Sequence, residues 1–122
     1  MKRYVNPKVG DRATFADAVQ VDGWLYVSGQ CAMQDGEFQN GPIASQARKS
    51  LEQLSEILEA AGYSKEHVVR CGVWLADARD FNAFNAVFRQ FFGEHKPARA
   101  CVVSSMVVDS KVEVDCVAYK AS

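Results

Sequence analysis

Residues 18–30 read AVQVDGWLYVSGQ, and the pair at their centre, Asp22-Gly23, decides how the fold begins. Asp-Gly supplies the positive φ angles of a tight hairpin turn. Before it, residues 13–21 (ATFADAVQV) read as a strand. After it, residues 24–30 (WLYVSGQ) read as a second strand, with Trp24, Tyr26 and Val27 favouring extended backbone. Residues 31–41 carry Gly36 and Gly41 and read as a loop.

From Pro42 the apolar period becomes helical. Ala47, Leu51, Leu54, Leu58 and Ala61 follow at steps of four, three, four and three, which is one stripe of an amphipathic helix. Pro42 suits its first turn and Gly62 its end. Arg48, Lys49, Glu52, Gln53, Glu56 and Glu59 lie off the stripe and are expected in solvent. Residues 68–76 (VVRCGVWLA) read as a third strand. Asp77 or Asp80 can cap a second helix, where Phe81, Phe84, Phe88, Phe91 and Phe92 recur at helical spacing until Gly93. Such an aromatic stripe is core packing. Two more strand-like runs follow, 99–108 and 111–119, with Asp109-Ser110 as a weaker turn between them.

The order is therefore ββαβαββ, with hairpins at both ends. It implies an α+β domain spanning residues 1–122, with one mixed sheet carrying both helices on one face. The other face is too apolar for water: Trp24, Tyr26, Val73 and Leu75 are hard to bury on one side only. Self-association through that face is the physical expectation.

Composition narrows the function. An apolar share of 48% and a charged share of 24% are those of a folded globular chain. With 14 basic and 15 acidic residues the net charge is −1, and no basic stripe is interleaved with aromatics, so nucleic acid and anionic lipid are not expected partners. No apolar run approaches a membrane span, and MKRYVNPKVG lacks the apolar core of a signal peptide, so a cytoplasmic location is expected. Cys31, Cys71, Cys101 and Cys116 form no CxxC or CxxH pair, and His67 and His95 stand alone. A metal site is not expected, and the cysteines read as reduced, buried small hydrophobes. GxGxxG, Walker, GxSxG and HExxH patterns are absent from the sequence.

Four features remain that local pattern does not explain. Arg99 stands at the mouth of an apolar strand, on the same face as Cys101. A guanidinium there can grip a carboxylate with two parallel hydrogen bonds, or can be an edge-strand arginine with its head in water. Glu113 and Asp115 share one face of a strand whose other face is Val112, Val114 and Cys116. Glu113 is either part of a solvated face or a carboxyl that handles a proton or orients water. Ser28-Gly29-Gln30 either opens the backbone to a ligand or marks a bulge. Asn85 interrupts the apolar side of the Phe-rich helix, and needs partners if buried.

Taken in order, these segments resemble the YjgF/Rid family of reactive-intermediate deaminases. The resemblance runs through Ala18-Val19 to Ser28-Gly29-Gln30, Gln46-Ala47-Arg48, Glu59-Ala60-Ala61-Gly62 and Val73-Trp74-Leu75-Ala76-Asp77. It continues through Asp80-Phe81, Asn85, Phe91-Phe92-Gly93-Glu94-His95, Pro97-Ala98-Arg99-Ala100-Cys101-Val102 and Val112-Glu113-Val114-Asp115. It implies a chorismate-mutase-like fold and a homotrimer with three clefts between subunits. It implies no metal and no organic cofactor. By the same resemblance Arg99 holds a substrate carboxylate and Glu113 serves the water or the imine nitrogen. Ser28, Gly29, Asn85 and Cys101 line the pocket, with Phe15 and Gln30 beside them. The chain departs from the family pattern twice. Thr14-Phe15 replaces a Pro-Tyr pair, so a phenolic hydroxyl is missing, and Met106-Val107-Val108 replaces a Leu-Pro segment.

The implied activity is hydrolysis of small 2-imino or 2-enamino acids to 2-keto acids and ammonia. The rivals are a small-carboxylate-binding or regulatory protein without hydrolysis, an endoribonuclease, and a redox-responsive holdase using Cys31 or Cys101. One geometric test is available from the sequence. If Asp109-Ser110 closed a simple hairpin, Arg99 would oppose Lys120 and Glu113 would oppose Met106. The two would sit on the order of 20 Å apart on opposite faces. One substrate would then touch both only if the turn is not simple or if two chains build the cleft. The second is the expectation.

Overall fold

The computed structural model describes residues 2–9 and 13–121. Its elements are β1 (Lys2–Val5), β2 (Ala18–Val21), β3 (Trp24–Gln30), β4 (Met33–Gln34), β5 (Glu37–Phe38), α1 (Ile43–Ala60), β6 (Val68–Leu75), α2 (Phe81–Phe92), β7 (Ala98–Val103) and β8 (Val112–Tyr119). Six strands form one mixed sheet in the order β1-β2-β3-β8-β6-β7, and β4-β5 is a separate two-stranded hairpin.

The helix-facing core follows from alternation. Leu25 and Val27 of β3, Val112, Val114 and Cys116 of β8, and Cys71, Val73 and Leu75 of β6 are all buried. They meet Ala47, Leu51, Leu54 and Leu58 of α1 and Phe84, Phe88 and Phe92 of α2. The predicted Leu stripe is therefore core-facing, as are Phe84, Phe88 and Phe92 of the Phe stripe, whereas Phe81 is exposed and Phe91 half-buried at its edge. Gly62, at φ 86°, ends α1 as a left-handed residue just beyond the last turn. Burial pushes the Cys71 thiol up to about 12, and the Asp115 carboxylate adds to that. All four cysteines are free thiols.

Four expectations need correction. The first strand begins at Ala18 and not at Ala13, because the backbone before it is held by loop contacts. The Asp17 carboxylate accepts from the Lys8 and Val9 amides at 2.6 and 3.0 Å, and the Asp17 amide donates to Asn6 Oδ1 at 3.0 Å. Those bonds seat the segment after β1, a strand the hydrophobic pattern does not announce. Residues 31–41 are not all loop, since Asp35 and Gly36 adopt φ 53° and 81° and turn the β4-β5 hairpin. Gln53 is buried, not solvated: its side chain bonds Met33, Gln30 and Cys31.

The largest correction concerns the C-terminal strands. β7 ends at Val103, and it does not pair with β8. It lies parallel to β6, with Cys71 level with Arg99 and Trp74 level with Val102. β6, α2 and β7 form a βαβ crossover, the connection parallel neighbours require. β8 instead fills the slot between β3 and β6, antiparallel to both. Val73 and Leu75 consequently face the helices. The opposite face carries Trp24, Tyr26, Trp74, Val102 and Tyr119, all at least partly exposed.

Candidate active site

Two hollows flank this sheet, and the predicted site residues divide between them. The larger, about 930 Å³, is lined by Phe15, Ser28, Gly29, Gln30, Cys31 and Glu113, with Lys8, Asp17 and the β4-β5 hairpin among its walls. The smaller, about 370 Å³, is lined by Asn85, Phe88, Arg89, Lys96, Pro97 and Arg99 among others. Cys101 lines neither, and is half-buried against the core beside Arg99's strand position.

A bulge positions the larger hollow. Val27 pairs with Cys116 and Gln30 with Val114, so β3 spends one residue more than β8 across Ser28-Gly29. Ser28 is anchored on both sides: its amide donates to the Asp17 carbonyl at 2.9 Å and its hydroxyl to the Ala16 carbonyl at 2.7 Å. Gly29 has a specific steric reason. A Cβ there would overlap Glu113 Oε2 and stand 2.8 Å from its Cδ. The missing side chain therefore makes room for the Glu113 carboxylate, so Ser28-Gly29 is a bulge whose vacated side-chain space is taken by Glu113. Glu113 Oε1 accepts from Cys31 Sγ at 3.5 Å. Gln30 forms the floor. Its amide donates to the Ser28 carbonyl at 3.1 Å and its Oε1 accepts from Gln53 at 3.0 Å.

The smaller hollow is built by the crossover. Arg99 Nη1 donates to Asn85 Oδ1 at 2.8 Å. Its guanidinium carbon stands 4.7 Å from the Phe88 ring centre, with Phe81 and Phe84 at 5.7 and 5.9 Å. Asn85 thus has its partner, and Arg99 is not waving in solvent. Among the described residues no carboxylate pairs with Arg99, and Arg89 and Lys96 add positive charge to the same rim. Burial raises the Cys101 thiol above its ordinary range, opposed by the Arg99 charge.

Arg99 and Glu113 face opposite ways. Arg99 is level with Cys71, which points into the helix-covered core, and Glu113 is level with Trp74 on the other face. They are three residues along and two strands across, about 14 Å between backbone positions. The opposition expected from a simple hairpin holds, although the hairpin itself does not exist. The chain carries one cationic hollow and one carboxylate hollow. Sequence reasoning missed Cys31 and Gln53 as parts of the second. The one signal was position, since Cys31 directly follows Ser28-Gly29-Gln30. Among the described residues no helix is long and apolar enough to cross a membrane.

Comparisons with known proteins agree with this architecture. A family model described as endoribonuclease L-PSP matches residues 7–120. A RutC family protein of Pyrococcus horikoshii is 39% identical over 109 residues, 87% of this chain and 86% of that protein. A human protein named 2-iminobutanoate/2-iminopropanoate deaminase is 38% identical over 109 residues, 87% of this chain and 80% of that protein. The crystal structure of E. coli TdcF with bound serine has a TM-score of 0.84 at 32% identity, covering 96% of this chain and 94% of that one. The match spans almost the whole sequence and the relatives exceed 30% identity along most of it, so the chain belongs to the YjgF/Rid family that the L-PSP model describes.

Proposed function

We propose that the protein hydrolyses small 2-imino and 2-enamino acids to 2-keto acids and ammonia, in clefts between the subunits of a homotrimer. The observation that carries this reading is Arg99. It is a guanidinium steadied by Asn85 and the Phe88 ring, unpaired with any described carboxylate, and beside a hollow rimmed by further cations. With Nη1 held by Asn85, the Nε and Nη2 hydrogens present a fork that matches a carboxylate. The human relative's name supplies the substrate class. The apolar open face of the sheet supplies the reason for subunits to meet there.

The reaction asks little of the protein. Water adds to the C=N carbon, the carbinolamine expels ammonia, and the keto acid remains. Arg99 fixes the carboxylate end. The partner subunit's Glu113 takes a proton from the attacking water and returns one to the departing nitrogen. Phe15 adds an apolar wall where the family pattern has a phenol, so proton handling falls to Glu113. Imines already hydrolyse slowly in water, so positioning and one general base suffice for a factor of about 10² to 10³.

The experiment generates 2-iminobutanoate in place with an amine-releasing enzyme and follows keto acid and ammonia with and without the protein. A rise in the hydrolysis rate proportional to protein concentration is expected. A rate unchanged by the protein, alongside calorimetric binding of 2-ketobutyrate, would replace hydrolysis by carboxylate binding alone.

A further inference from the structure

We propose that Cys31 is a positioning residue for Glu113, its thiol aiming the carboxylate into the larger hollow. The inference rests on the deaminase reading for its kinetic readout, and on geometry alone for its contact. Cys31 sits one residue beyond the bulge, is buried, and lines the same hollow as Glu113. Its Sγ lies 3.5 Å from Glu113 Oε1. Oε2 lies on the other side, in the space a Gly29 side chain would fill. One oxygen is thus tethered by the thiol and the other is seated against the glycine, a placement the thiol contact selects.

The neighbourhood holds the thiol in place. The Cys31 carbonyl accepts from Gln53 Nε2 at 2.8 Å, and the same amide group spans to Gln30 and to the Met33 amide. A buried glutamine on α1 therefore sets the backbone that carries the sulfur. Burial pushes the thiol up to about 11, with Glu113 adding to the rise and the Ser110 hydroxyl opposing it. At neutral pH the sulfur keeps its proton and acts as a donor. A thiol is a weak donor, so it orients the carboxylate while leaving it free to accept a proton from water.

The test measures kcat and KM for 2-imino acid hydrolysis in Cys31→Ala, Cys31→Val and Cys31→Ser, with melting temperature as control. Cys31→Ala and Cys31→Val are expected to lose about tenfold in kcat with KM within about twofold, because Arg99 still holds the carboxylate. Cys31→Ser restores a donor and is expected within about threefold of the parent. Unchanged kcat in Cys31→Ala overturns the proposal. So does a serine variant as slow as alanine whose melting temperature falls and KM rises, since that is a packing effect. If the parent protein hydrolyses no imine, the deaminase reading fails, and a crystal structure of Cys31→Ala decides this inference separately. A Glu113 side chain swung off Gly29 supports it, and an unmoved one overturns it.

Discussion

Arg99→Ala is expected to lower kcat/KM for 2-imino acid hydrolysis by about 10² to 10³, with most of the loss in KM. The change removes the fork that grips the carboxylate and leaves the base untouched. Arg99 also covers the Phe81, Phe84 and Phe88 rings, so the variant should melt somewhat lower while staying folded. Arg99→Lys separates charge from shape. An ammonium cannot make the paired contact or stack on Phe88 in the same way, so it should recover only a small part of the loss. Steady-state kinetics and 2-ketobutyrate calorimetry check this together, and full activity in Arg99→Ala would remove the anchor from the account.

Gly29→Ala should be as damaging by a different route. The backbone at Gly29 lies outside the left-handed region, so alanine meets no φ penalty there. The added methyl would instead overlap Glu113 Oε2 and crowd Cγ at 3.1 Å. The carboxylate must leave its seat, which misplaces the base. We expect kcat to fall by about 10²-fold, at a stability cost of about 1–3 kcal/mol for the overpacked contact. The Kd for 2-ketobutyrate should change little, because the anchor is elsewhere. Loss of kcat without loss of binding separates this variant from Arg99→Ala. Unaltered kcat would mean that Glu113 does not act from the seat described.

Much of this was legible in the sequence. Asp22-Gly23 gives the first hairpin, and the Leu and Phe stripes give the two helices and the face they bury. Period-two alternation puts Val112, Val114 and Cys116 inside with Glu113 and Asp115 on the other face, as observed. What failed was strand pairing. An apolar run such as 99–108 does not announce its neighbour, and Asp109-Ser110 looked enough like a turn to suggest a hairpin. The βαβ crossover places β7 beside β6 and leaves β8 to fill the middle of the sheet. Local pattern also could not expose Gln53. A glutamine off the apolar stripe looks solvated until the Cys31–Met33 backbone passes over it. The start of β2 failed for a similar reason, since the Asp17 side chain replaces ladder bonds with loop bonds.

Resemblance and pattern point to the site residues, and geometry divides them. Parity along β6 separates Arg99 from Glu113, and neither hollow alone is lined by both.

Co-expression of Arg99→Ala with Glu113→Gln tests the shared cleft most directly. Assayed at substrate well below the KM of the parent, each variant alone should be nearly inactive. In randomly mixed trimers about a quarter of the clefts would pair an intact arginine with an intact glutamate from the adjacent chain. The account therefore predicts that the co-purified mixture regains about a quarter of the parent activity, and mixtures as inactive as either variant alone would contradict it.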